Sequence, residues 1–168
     1  MPVYSEVLDD NTIINLVRDY KNILLLGCGA CMNESLAFKN DTPIYINENN
    51  SSIPYSIQKE MERIKNMLTL HGFKVKYKLL PENSNSRCMI NYGKQIYSFL
   101  LEPFPDVLLV LSCPAGIFGI KQCIKNIPII KATKQTGFLA YGYTDDHNGN
   151  RIIIKDKSFL SKSKNGYD

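Results

Sequence analysis

Histidine is nearly missing from this chain: only His71 and His147 occur, one expected at a helix end and the other in a polar turn, so histidine-based catalysis is poorly supported. Long apolar runs are missing as well. The longest fall far short of the roughly 20 residues a membrane-spanning helix needs, which excludes such a span. The opening residues, MPVYSEVLDD, lack the basic and apolar regions of a signal peptide, so the expected compartment is the reducing cytoplasm. No internal repeat or low-complexity segment is found. At 168 residues the chain is expected to form one domain, 1–168, around a single core.

A strong excess of one charge is also lacking. Twenty Lys and Arg against 16 Asp and Glu give a net charge of +4. The surplus lies at Lys74, Lys76 and Lys78, at Lys155, and in a basic tail over 157–168 that includes Lys157, Lys162 and Lys164. These read as solvated faces. A nucleic-acid interface would need aromatics interleaved with the lysines, and only Tyr77 is present, which the alternation places on the buried face.

What the chain does have is apolar segments that stop at cysteine. Asp10 or Asn11 caps a short helix carrying Ile13, Ile14, Val17 and Tyr20, and Ile23–Leu26 follows as a strand buried on both sides. A long polar loop is expected over 39–55, with a brief extended piece at Ile44–Ile46. Ile57, Met61, Ile64 and Leu68 recur at helical spacing before Gly72. Phe73, Val75, Tyr77 and Leu79 alternate with lysines, which predicts a strand near a sheet edge. A helix carrying Met89, Gly93, Ile96 and Leu100 follows Cys88, then a central strand at Val107–Leu111 and a helix at Ile117–Lys125. Gly137–Tyr143 and Arg151–Ile154 form a strand pair around the turn TDDHNGN. The succession predicts an α/β fold, three-layer and Rossmann-like or flavodoxin-like, with a mostly parallel sheet and a C-terminal antiparallel strand pair.

Parallel strands deliver every strand-to-helix loop to the edge formed by their carboxyl ends. Cys28 and Cys31 of LLLGCGAC, Cys88, and Cys113 of LSCPAG all fall in such loops, whereas Cys123 lies within a helix and is set aside. If the first and third of these strands are neighbours, Cys28 and Cys113 stand about one strand spacing apart, roughly 5 Å. Four thiolates suit zinc or an iron–sulfur cluster, with the amides around Gly27, Gly29 and Gly116 as hydrogen-bond donors to it. The competing readings use the same edge. A redox pair at Cys28 and Cys31 leaves Cys88 and Cys113 without a role. A methyltransferase binding S-adenosylmethionine would place its glycine turn here, but the third glycine is Cys31, and Glu82 follows Pro81 instead of closing a strand. Asp145, Asp146 and His147 read as turn residues.

The order of a strand ending in GCGxC, a later cysteine and a strand ending in SCxAG resembles the MetV-type subunit of methylenetetrahydrofolate reductases, from about Asp10 to Tyr143. The resemblance implies a cysteine-containing α/β domain that holds an iron–sulfur or zinc centre and is partner to a flavin-containing reductase subunit, as an accessory or electron-transfer protein. The implied ligands are Cys28, Cys31, Cys88 and Cys113. Ser35 stands where that pattern continues with a further cysteine.

Overall fold

A computed structural model describes residues 2–49, 51–80 and 104–167, by backbone alone over 164–167. Its elements are β1 (Val3–Val7), α1 (Asp10–Val17), β2 (Asn22–Cys28), α2 (Cys31–Asn40), β3 (Tyr45–Glu48), β4 (Ser51–Pro54), α3 (Tyr55–Leu70), β5 (Lys74–Leu80), β6 (Val107–Leu111), α4 (Pro114–Cys123), β7 (Ile129–Lys131), β8 (Thr133–Asp145) and β9 (Arg151–Tyr167). Cys88 and the helix expected after it lie outside the described residues.

Strand β2 has no polar side chain after Asn22, and both of its faces are covered. Ile23 and Leu25 pack with Ile13 and Val17 of α1 and with Ile57, Met61, Ile64 and Leu68 of α3. Leu24 and Leu26 turn the other way, onto Ile117 and Ile120 of α4. Full burial of each such side chain is worth about 1.5–3 kcal/mol, which fixes β2 inside a sheet. It pairs in parallel with β5 on one side and β6 on the other, in a four-stranded sheet of order β5-β2-β6-β7. At the opposite end, Asp106 brackets β2 to β6 by accepting from the Lys21 and Asn22 amides at 2.9 and 2.7 Å. Those bonds hold its carboxyl below the usual aspartate range.

The second sheet is antiparallel and five-stranded, in the order β1-β8-β9-β3-β4. It corrects the expectation of one mostly parallel sheet. The strand pair around TDDHNGN is present, as β8 and β9, but it extends much further and recruits three more strands. The stretch expected as a basic tail over 157–168 is the second half of β9, paired with β8 as far as Tyr167 opposite Gln135. The loop expected over 39–55 holds the hairpin β3-β4 and the start of α3. Between the sheets α2 is held by polar contacts: buried Asn33 donates to the Ile44 carbonyl at 2.6 Å and accepts from the Ile57 amide at 2.9 Å. Ser35, also buried, accepts from the Ser5 amide and donates to the Cys31 carbonyl.

Smaller corrections are local. The cap of α1 is Asp9, whose carboxylate accepts from the Thr12 amide, not Asp10 or Asn11. Helix α4 begins at Pro114 and ends at Cys123, earlier than the expected Ile117–Lys125, because Pro114 can occupy its first position. Tyr77 is exposed instead of buried: β5 is an edge strand, and the ring lies with its centroid 5.3 Å from the Lys65 ammonium of α3. The α3 pattern stands as expected, with the Phe73 amide returning to the Leu68 carbonyl beyond Gly72.

Gly27 is where α3 approaches the sheet most closely. A Cβ there would run into Met61 Sδ and stand 3.1 Å from Ile57 Cγ1, both fully buried. Gly27→Ala is expected to cost about 1–3 kcal/mol of stability through overpacking. Met61→Ala in the same protein should recover part of that loss, a favourable coupling measurable by urea unfolding of the two single variants and the double variant.

Candidate thiol site at the carboxyl edge of the parallel sheet

The register of β2 fixes the site. Gly27 pairs with Leu111 of β6 and Cys28 with Leu80 of β5, so Cys28 stands level with Ser112, one residue before Cys113. Cys113 is the N-cap residue of α4, and Cys31 opens α2. The expected adjacency of the first and third of those strands is thus present. Cys28 and Cys113 are buried, at 3% and 1% exposure, and Cys31 is half-buried. None of these three is in a disulfide. The chain leaves β5 at Leu80, directly across from Cys28, and Cys88 lies beyond it outside the described residues.

Burial pushes the Cys28 thiol up to about 11, and the neighbouring Cys113 and Cys31 sulfurs push the same way. The Ala30 amide and the Ser112 side chain oppose the shift. A thiol so placed is about one part in ten thousand thiolate at neutral pH, which makes Cys28 a poor nucleophile. That weighs against a redox pair acting through Cys28. The three glycines have structural work. Gly27 is packed under Met61 as described, Gly29 donates its amide to the Leu80 carbonyl at 3.0 Å, and the space beside Gly116 is filled by the Ser112 hydroxyl. The Gly27 face where a methyl-transfer cofactor would approach is occupied by Met61 and Ile57.

Comparisons with protein-family models, with curated proteins and with solved structures find no match. Among the described residues, no group of three or more His, Cys, Asp or Glu is found that could hold a metal ion. Nor is any helix among them long and apolar enough to cross a membrane. His71 and His147 are both exposed. The first lies against the Met67 carbonyl, and the second sits in a turn closed by Asp146, which accepts from the Asn148 and Asn150 amides.

Three residues beside the thiols went unnoticed in the sequence. Tyr45 of β3 donates to the Gly29 carbonyl at 3.3 Å, and Tyr141 of β8 hydrogen-bonds to Glu34. Burial raises the pKa of all three, Tyr45 to about 12, with the Glu34 carboxylate adding to the rise at both tyrosines. A signal existed for Glu34 alone, since it falls one helical turn after Cys31. For Tyr45 and Tyr141, only the pairing of the second sheet brings them here.

Glu34 therefore opposes folding when ionised. Its folded-state pKa is raised, so stability falls as pH rises from the unfolded glutamate value through the folded one. Glu34→Gln should make the protein more stable than wild type at neutral pH, and thermal melts across pH should find the gap closing below the ordinary glutamate range.

Proposed function

We propose that this chain is a thiolate-ligated metal protein, with Cys28, Cys31 and Cys113 as ligands and Cys88 completing the set. The observation that carries this reading is the register that brings Cys28, at the end of β2, next to the strand end that leads into Cys113, with Cys31 opening the helix that follows Cys28. A donor set of thiols alone is soft, suited to zinc or an iron–sulfur cluster and not to magnesium or calcium. Cys88 would have to come from the segment that begins after Leu80.

When bound, zinc would tie the two strand ends together, and an iron–sulfur cluster would pass single electrons. The protein's own residues bury the sulfurs, keep water from Cys28 and Cys113, and set two helix starts against them. We take the parallel half as a Rossmann-like scaffold. Its role, in line with the resemblance to MetV-type subunits, is an accessory or electron-transfer one in the cytoplasm beside a flavin-containing reductase subunit.

Metal and sulfide analysis with a visible spectrum, on protein purified without oxygen, tests this. Iron with sulfide and a brown colour supports the electron-transfer role, and stoichiometric zinc supports a structural centre. Cys28→Ser and Cys113→Ser should each lose the metal. Full occupancy in both variants, or a metal-free wild type, would overturn the proposal.

A further inference from the structure

The hairpin β3-β4 presents two faces of different character. Alternation along β3 sends Tyr45 toward the Gly29 carbonyl and Ile46 and Glu48 to the opposite face, where the pairing of Ile46 with Ile53 sets Ile53 beside them. That second face looks onto α3. The helix commits Ile57, Met61, Ile64 and Leu68 to the core, so Gln58, Lys59 and Glu62 are left for its other side. Between the two walls lies a cavity of about 170 Å³, with Tyr55 at the junction of strand and helix also in its lining.

Bonds made by the hairpin's own amides hold this gap open. At the base the Tyr55 amide donates to the Ile44 carbonyl at 3.0 Å and the Ile44 amide to the Arg151 carbonyl at 2.8 Å; further along, the Asn47 amide donates to Asn150 Oδ1 at 3.1 Å. The lining combines an apolar wall with charges of both signs. Ile46 and Ile53, both half-buried, form the wall. Among the described residues, neither the Glu48 nor the Glu62 carboxylate is in an ion pair or hydrogen bond, whereas Glu60 on the same helix is taken up by Arg63. Lys59 supplies the lining's positive charge, and its ammonium rests 5.6 Å from the Tyr55 ring centroid instead of on either glutamate. Two carboxylates against one ammonium leave one negative charge uncompensated. A cavity of about 150 Å³ accepts benzene, so this one has room for a single small molecule.

We infer that this cavity binds a free basic amino acid with an aliphatic stem. Its carboxylate pairs with Lys59, its two ammonium groups with Glu48 and Glu62, and its methylenes lie along Ile46 and Ile53. No charge of the lining is then left over, and the apolar wall is covered. The cavity shares no residue with the thiol site, so the inference holds with or without a metal there.

The test is calorimetric titration of the full chain with L-lysine, repeated with L-norleucine, which lacks the second ammonium, and with cadaverine, which lacks the carboxylate. L-Lysine should bind with a dissociation constant of about 1 mM or tighter, a modest demand for a ligand of this size. Each of the other two should bind about fivefold more weakly or worse, the worth of one exposed ion pair. Glu48→Gln should weaken L-lysine about fivefold and Glu62→Gln, at a half-buried position, about tenfold, with thermal midpoints unchanged from wild type. In wild type, the methyl resonances of Ile46 and Ile53 should shift on addition of L-lysine. No binding at about 10 mM L-lysine, or binding that leaves those methyls unmoved, would overturn the inference. So would L-lysine affinity unchanged in both variants, or L-norleucine binding as tightly as L-lysine. Cadaverine binding as tightly would overturn the assignment to an amino acid.

Discussion

The parallel pairing of β2 with two strands at once is the constraint on which the rest of the molecule depends. A strand whose residues from Ile23 to Cys28 are all buried must be covered on both faces and paired on both edges. Parallel neighbours require crossovers, so the chain re-enters the sheet from the same end each time and leaves it at the same edge. Cys28 and Ser112 are level because Gly27 is level with Leu111. A shift of register by one residue would turn Leu24 and Leu26 toward α3 and separate the thiols as well. Core packing and site geometry are thus set by the same ladder of hydrogen bonds.

The second sheet depends on the first through α2. This helix has little apolar asymmetry, and its buried face includes Asn33 and Ser35 along with Met32 and Leu36. Buried polar side chains are tolerable only when bonded, and here Asn33 and Ser35 each bond to an element outside α2. Asn33 ties α2 to the residue before β3 and to the start of α3, and Ser35 ties α2 to β1. Glu34 and Tyr141 add a contact from α2 to β8. Because the same helix begins at Cys31, movement of the antiparallel sheet would be felt at the thiol site.

How much of this was legible follows from where each signal resides. Ile23–Leu26 and Val107–Leu111 are unbroken apolar runs, and Ile57, Met61, Ile64 and Leu68 repeat at helical spacing, so burial alone identifies them. The residues TDDHNGN make their own turn through Asp146 and needed no distant partner. The start of β9 at Arg151–Ile154 is legible, but its second half is not, because Lys155, Asp156 and Lys157 look solvated and register shifts in its pairing with β8 break the alternation that marks a strand. The extended piece at Ile44–Ile46 overlaps β3, whereas β4 is not legible for a related reason, being short, largely exposed and paired only with β3. In the site, Cys28, Cys31 and Cys113 could be placed by their position after strands. Tyr45 and Tyr141 could not, since they arrive from elements whose pairing is long-range.

The thiol edge combines two opposed influences. Cys31 and Cys113 stand at helix starts that carry no side-chain cap, where amide dipoles favour negative charge. Burial acts the other way and prevails at Cys28. Neutral thiols suit the burial and leave the helix-start dipoles without an anion. Thiolates satisfy the dipoles, but the sulfurs then repel one another in a low-dielectric setting. The proposed cation among the sulfurs would relieve both conflicts at once. Binding must then release protons from the thiols, so the affinity of such a site climbs with pH until the sulfurs ionise without help.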